Sequence, residues 1–109
     1  MSESVRRVSL VWLLLLGCVL LVPGPACGAE ANQGKIIAER WCSGCHIVGP
    51  EQKSAAVDQA PPFASIAARA DFSEERLALL LLAPHSNMPK LTLSRFEIAD
   101  LAEYIRTLK

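Results

Sequence analysis

A short motif of two cysteines and a histidine, Cys42-Ser43-Gly44-Cys45-His46, carries the clearest chemistry in the sequence. The spacing C-x-x-C-H is the signal for covalent attachment of a c-type haem. Each thiol forms a thioether with one haem vinyl group, and two cysteines three positions apart in a helical turn lie on one side of the chain. The histidine that follows provides an imidazole ligand to the iron. The motif therefore predicts one haem c, joined through Cys42 and Cys45 and ligated by His46.

The same cysteine pair has other uses in proteins. A thioredoxin-like redox site would follow a β-strand in a βαβ unit, and the sequence shows no alternating strand pattern. A zinc site would need about four ligands, and only His85 is available to complete a set with the motif. A chance occurrence of the motif in an unrelated helical domain is the third alternative.

The sixth ligand of the iron is expected to be a methionine. The sequence has two methionines, and Met1 is expected to leave with an N-terminal export segment. Met88 lies in the turn Asn87-Met88-Pro89, where Pro89 restricts the backbone and removes a donor. A lone methionine is more often part of a core than a ligand, but the haem motif and the flanking prolines favour Met88 as the ligand. His85 is the alternative and would give a bis-histidine haem.

The first part of the chain has the pattern of an export signal. Arg6 and Arg7 precede an almost wholly apolar run over residues 8–22, and proline and small residues follow up to Ala29. This order is typical of a secretory signal peptide, and the run is shorter than the roughly 17–25 residues of a membrane-spanning helix. We predict a signal peptide over residues 1–29, with an uncleaved membrane anchor as the alternative, and one domain over residues 30–109. The expected location is the periplasm.

The composition excludes several classes of protein. Lysine and arginine number 11, as do aspartate and glutamate, and a near-neutral chain lacks the basic surface that nucleic-acid binding needs. The predicted domain contains only Cys42 and Cys45, so a disulfide scaffold is not expected. A chain of this size usually needs a metal or a cofactor to complete its core.

The elements that position these residues are expected to be helices. A first helix is predicted over residues 33–42, capped by Asn32, and it leads into the haem motif. A loop follows over residues 49–62, punctuated by glycine and prolines, and then a short helix over residues 63–70. No strand pattern is visible, so the predicted fold class is all-α, with about three to five helices wrapped around one haem.

Two further helices are predicted in the second half of the chain. Asp71 or Ser73 can cap the first of them, and the run over residues 77–83 is apolar on all sides, which predicts a buried helix. Ser94 and Glu97 form a capping box at the start of the last helix. Its inward stripe is expected to contain Ile98, Leu101, Ile105 and Leu108.

Together these residues resemble the class I cytochrome c family, in its short bacterial form, over residues 32–109. The C-x-x-C-H motif is joined by the segment Pro84-His85-Ser86-Asn87-Met88-Pro89, which is similar to the methionine-ligand segment of related bacterial cytochromes. The resemblance implies a small cytochrome c fold. It also implies that Gly34 allows the first helix to cross closely over Tyr104 of the last one.

The same resemblance extends to the haem pocket. It implies that the carbonyl group of Pro61 accepts a hydrogen bond from the second ring nitrogen of His46, with Gly49-Pro50 as a competing match. It also implies that Phe63 packs in the pocket. The side chains expected to surround the haem are Phe63, Leu77, Leu80, Leu81, Ile98 and Tyr104.

The function expected from this pattern is single-electron transfer and not enzymatic catalysis, because two bound axial ligands leave no iron site open for a substrate. The expected partners are a redox donor and acceptor, such as a terminal oxidase, a reductase or a dehydrogenase, which dock on the haem edge near Cys42 and Met88. The expected state is a monomer, with membrane contact only if the N-terminal segment is uncleaved. Two alternatives are a dedicated haem subunit of a larger dehydrogenase or oxidase complex, and a haem-based sensor or peroxidase-like protein with an open sixth position.

Overall fold

The computed structural model describes residues 28–55, 60–84 and 87–109. Within these ranges the chain forms four helices and no strand: α1 (Ala31–Trp41), α2 (Phe63–Ala67), α3 (Glu74–Leu82) and α4 (Arg95–Arg106). The predicted all-α class is confirmed. His85 and nearly all of the predicted export signal lie outside the described residues. None of the helices in the described part of the chain is long and apolar enough to cross a membrane.

Helices α1 and α4 cross at Gly34. A Cβ atom added there would collide with the backbone carbonyl of Asp100 and would lie 2.7 Å from the Cβ of Tyr104. Only a residue without a side chain permits this approach, so the crossing expected between Gly34 and Tyr104 is present. The crossing holds the first half of α1 against α4, and the cysteine motif begins where α1 ends.

The start of α1 differs from the prediction. The helix begins at Ala31 rather than at residue 33, and Glu30 rather than Asn32 is its N-cap, with no hydrogen bond from its own side chain. The backbone N–H of Glu30 donates instead to Oδ1 of Asp100, at 2.7 Å. The prediction of Asn32 as the cap is therefore wrong. At this end of α1 the N–H of Glu30 is paired by Asp100 of α4 and not by a nearby side chain.

Helix α4 supplies the two largest fully buried side chains of the core. Leu101 and Ile105 are each 1% exposed, and the half-buried Ile98 and Leu108 pack against the same cluster. The predicted inward stripe is therefore confirmed. The capping box is also present: the N–H of Ser94 donates to Oε2 of Glu97 at 2.7 Å, and Oγ of Ser94 accepts from the N–H of Glu97 at 3.3 Å.

Helix α3 is more exposed than its sequence predicts. Ser73 rather than Asp71 caps it, because Oγ of Ser73 accepts from the N–H of Arg76 at 3.1 Å. Of its leucines only Leu81 is buried, whereas Leu79 is 67% and Leu82 is 71% exposed. The prediction of a helix buried on all sides is wrong because α3 packs against the molecule along one face. Helix α2 is also shorter than predicted, since it ends at Ala67 rather than at residue 70.

Candidate functional site

The two cysteines and the histidine of the motif lie in the turns that follow α1. The N–H groups of Cys42 and Ser43 donate to the carbonyl of Ala38 at 2.9 and 3.1 Å, which closes the last turn of the helix. The N–H groups of Cys45 and His46 then donate to the carbonyl of Cys42 at 3.1 and 2.8 Å. These tight turns place all three side chains on the wall of one cleft.

The cleft consists of two cavities that share the walls formed by Cys42, His46, Pro61 and Met88. One cavity, of about 350 Å³, also reaches Cys45. The other, of about 250 Å³, extends between α2, α3 and α4. Its apolar wall contains Phe63, Ile66, Phe72, Leu77, Leu80, Leu81, Leu101 and Ile105. Four of the side chains expected around the haem therefore line this cavity, but Ile98 and Tyr104 do not.

His46 is 8% exposed, and its ring is held from one side. Its Nδ1 lies 2.8 Å from the carbonyl oxygen of Pro61. A carbonyl group can only accept, so Nδ1 carries the hydrogen and Nε2 keeps the lone pair that a metal ion needs. This is the hydrogen bond that the family resemblance implied for Pro61, and Gly49-Pro50 does not take that position.

Phe63 packs against the imidazole of His46. The two ring centroids are 5.5 Å apart and the planes are tilted by 51°. The N–H of Phe63 also donates to the carbonyl of Ile47 at 2.9 Å, which joins the segment containing Pro61 to the cysteine motif. Phe63 therefore supports the histidine ring as well as lining the cleft.

One residue of the site was not identified from the sequence. The amide of Gln52 accepts from the N–H of Val48 at 3.0 Å, and its Nε2 lies 2.9 and 3.0 Å from the carbonyl oxygens of Ser43 and His46. No pattern in the loop separates this glutamine from other polar residues, because its partners are backbone groups that only the folded turn brings together.

The two thiols differ in their surroundings. Cys42 is 6% exposed, and the pKa of its thiol is raised to about 11, first by burial and second by the neighbouring Cys45. Cys45 is half-buried. A thiol with so high a pKa is a weak nucleophile near neutral pH, and this property is unlike the lowered pKa of thioredoxin-type motifs.

Met88 lies on the same cleft as the motif. Its side chain is half-buried, packs against the core and lines both cavities together with Cys42 and His46. Its neighbours Asn87 and Pro89 line the first cavity. His85, the alternative ligand, lies outside the described residues.

The walls of this cleft fit a covalently held haem. Two thiols in C-x-x-C spacing suit the two vinyl groups of a c-type haem, and an imidazole and a thioether sulfur are ligands that its iron takes. The apolar side chains of α2, α3 and α4 suit the face of a porphyrin. A small all-α domain built around such a cleft defines the class of c-type cytochromes.

Comparison with known proteins gives the same class. The chain is 49% identical over 84 residues to cytochrome c-552 of Bradyrhizobium diazoefficiens, and the match covers 77% of this chain and 80% of that protein. The chain therefore belongs to the c-type cytochrome family. Haem c is its cofactor, and it is an electron-transfer protein rather than an enzyme. No model of a protein family and no solved structure matches the chain significantly.

Proposed function

We propose that this cytochrome is a single-electron carrier of a periplasmic redox chain, with its haem joined to Cys42 and Cys45 and its iron held between His46 and Met88. The observation that carries the proposal is the shared cleft, since both cavities are lined by Cys42, His46 and Met88 at once. The haem supplies an iron that takes up and releases one electron.

His46 and Met88 have different tasks in this arrangement. The carbonyl of Pro61 fixes the imidazole of His46 through Nδ1 at 2.8 Å, and such a bond orients the ring and makes Nε2 a stronger ligand. A methionine thioether favours the reduced iron and raises the reduction potential. His46 and Met88 would hold the iron on both sides, which would leave no iron site open for a substrate and would suit one-electron exchange.

The proposal also includes export of the protein from the cytoplasm. Residues 1–29 act as a signal peptide, and residues 30–109 form the cytochrome domain, which receives electrons from one redox protein and passes them to another. Mass spectrometry of the natively exported protein tests this directly. We expect a chain that begins near residue 30 and carries the added mass of one haem. A haem-free peptide would contradict the proposal, and an intact residue 1 would favour a membrane anchor.

The ligation by Met88 has its own test. A ferric haem with histidine and methionine ligands shows a weak far-red charge-transfer band, and we expect this band in the purified oxidised protein. Met88→Ala should abolish the band and let the reduced protein bind carbon monoxide rapidly, because the sixth position becomes open. Leu91→Ala is the matched control, since Leu91 lines the same cavity and is half-buried but has no ligand atom. A wild-type protein without the band would favour a bis-histidine haem.

A second candidate function is that of a haem subunit within a larger dehydrogenase or oxidase complex. It is favoured by the leucines that α3 exposes, Leu79 and Leu82, because adjacent exposed apolar side chains often mark a protein contact. Size exclusion of the native extract separates the two functions. A haem signal at the size of the monomer supports the free carrier, and a haem signal that elutes with a large partner supports the subunit.

A further inference from the structure

We propose that Gln52 is a positioning residue for the axial histidine: its side-chain amide clamps the backbone on both sides of His46 and thereby fixes the orientation of the imidazole. The inference rests on the proposed function, because it concerns His46 as a ligand of the haem iron.

The clamp uses both ends of the amide. Oε1 of Gln52 accepts from the N–H of Val48 at 3.0 Å, and Val48 follows the histidine in the chain. Nε2 lies 2.9 Å from the carbonyl oxygen of Ser43, which precedes the histidine. It also lies 3.0 Å from the carbonyl oxygens of His46 itself and of Ser54. One half-buried side chain therefore spans the whole turn that carries Cys45 and His46.

The other contacts of His46 involve its ring and its N–H group, which donates to the carbonyl of Cys42 at 2.8 Å. Pro61 holds the ring at one atom, Nδ1, and Phe63 packs on its side. A ring held at one atom can still turn about its Cα–Cβ bond if the backbone shifts. Among the described residues, the amide of Gln52 is the donor to the carbonyl of His46. Groups that surround a metal ligand fix its orientation and tune the metal.

The test compares haem-loaded variants of the full chain. Gln52→Met keeps the length of the side chain but removes every hydrogen bond, and Gln52→Glu keeps the acceptor for the N–H of Val48 but loses both donors. The proton NMR shifts of the haem methyl groups in the ferric protein report the orientation of the axial ligands, and voltammetry gives the midpoint potential. We expect both variants to change the spread of the haem-methyl shifts and to move the midpoint potential.

A control separates positioning from general stability. Ser94→Ala removes the helix cap of α4, so it should lower the melting temperature and leave the haem-methyl shifts unchanged. If both haem-loaded Gln52 variants keep the wild-type shifts and potential, the proposal is wrong, and a lower yield of haem-loaded protein without those changes would also show a merely structural role. A wild-type spectrum without histidine ligation would instead contradict the proposed function, whatever the variants do.

Discussion

The histidine side of the cleft is bonded to the molecule at several points, whereas the methionine side is held by packing. Pro61 and Gln52 both form hydrogen bonds with His46, and the hydroxyl group of Tyr104 donates to the carbonyl of Val48 at 2.8 Å. Among the described residues, no hydrogen bond joins residues 87–93 to the rest of the chain. Met88 packs against the core cluster. Among the described residues the histidine side therefore has the more numerous hydrogen bonds, and regions of this kind open less readily.

The helices show the same difference. Helices α1 and α4 meet without room for a side chain at Gly34, and α4 carries the two most completely buried large side chains, Leu101 and Ile105. Helix α3, which leads to Met88, buries only Leu81. The fold is therefore anchored by the crossing that supports the histidine, while the approach to the methionine depends on the weaker packing of α3.

The largest expected effect is that of replacing a leucine by alanine in α4, compared with the same replacement in α3. Leu101→Ala should lower the free energy of unfolding by about 4 kcal/mol, because it leaves a cavity in a fully buried position. Leu79→Ala should change the free energy of unfolding by less than about 0.5 kcal/mol, because that side chain is 67% exposed. Denaturant unfolding of the oxidised holoprotein measures both values. Equal losses would show that α3 contributes as much to the fold as α4 does.

The helix crossing can be tested at its closest point. Gly34→Ala should cost about 3 kcal/mol, because the added Cβ meets the backbone of Asp100 rather than a movable side chain. Gln33→Ala is the control, since Gln33 is the exposed neighbour of Gly34 in α1. Thermal melts followed by circular dichroism compare the two variants. A tolerated Gly34→Ala would mean that α1 and α4 can separate without loss of the fold.

Local patterns predicted much of this structure from the sequence. The capping box of Ser94 and Glu97 forms within one turn of helix, so four residues of sequence are enough to predict it. The stripe of α4 likewise follows from the helical period. The position of Pro61 opposite His46 came from the family resemblance, and the structure has that hydrogen bond.

These local patterns could not predict contacts between segments that are distant in the sequence. The N–H of Glu30 is paired by Asp100, seventy positions away, so Asn32 was chosen wrongly as the cap. The apolar run in α3 predicts burial, but composition alone does not show how many faces of a helix have neighbours. Gln52 was missed for a related reason, since its partners are backbone carbonyls and an N–H group that every sequence contains.

A smaller effect is expected from the hydrogen bond between Tyr104 and Val48, on the histidine side of the cleft. Tyr104→Phe removes the hydroxyl that donates to the carbonyl of Val48, and should cost about 1–2 kcal/mol because a buried acceptor loses its donor. Burial, and second the carboxylate of Glu39, raise the pKa of Tyr104 in the folded protein. Its stabilisation is therefore complete below the unfolded pKa of about 10 and is lost as the pH rises through the folded pKa.

The pH dependence separates this contact from general packing. The difference in unfolding free energy between the wild type and Tyr104→Phe should be constant at neutral pH and should shrink above about pH 10, because only the wild type must then bury an ionised phenol. Tyr104 is the only tyrosine of the chain, so ultraviolet difference spectra follow its ionisation without interference from another phenol. A Tyr104→Phe variant as stable as the wild type at neutral pH would show that the aromatic ring, and not the hydroxyl bond to Val48, connects α4 to the histidine side of the cleft.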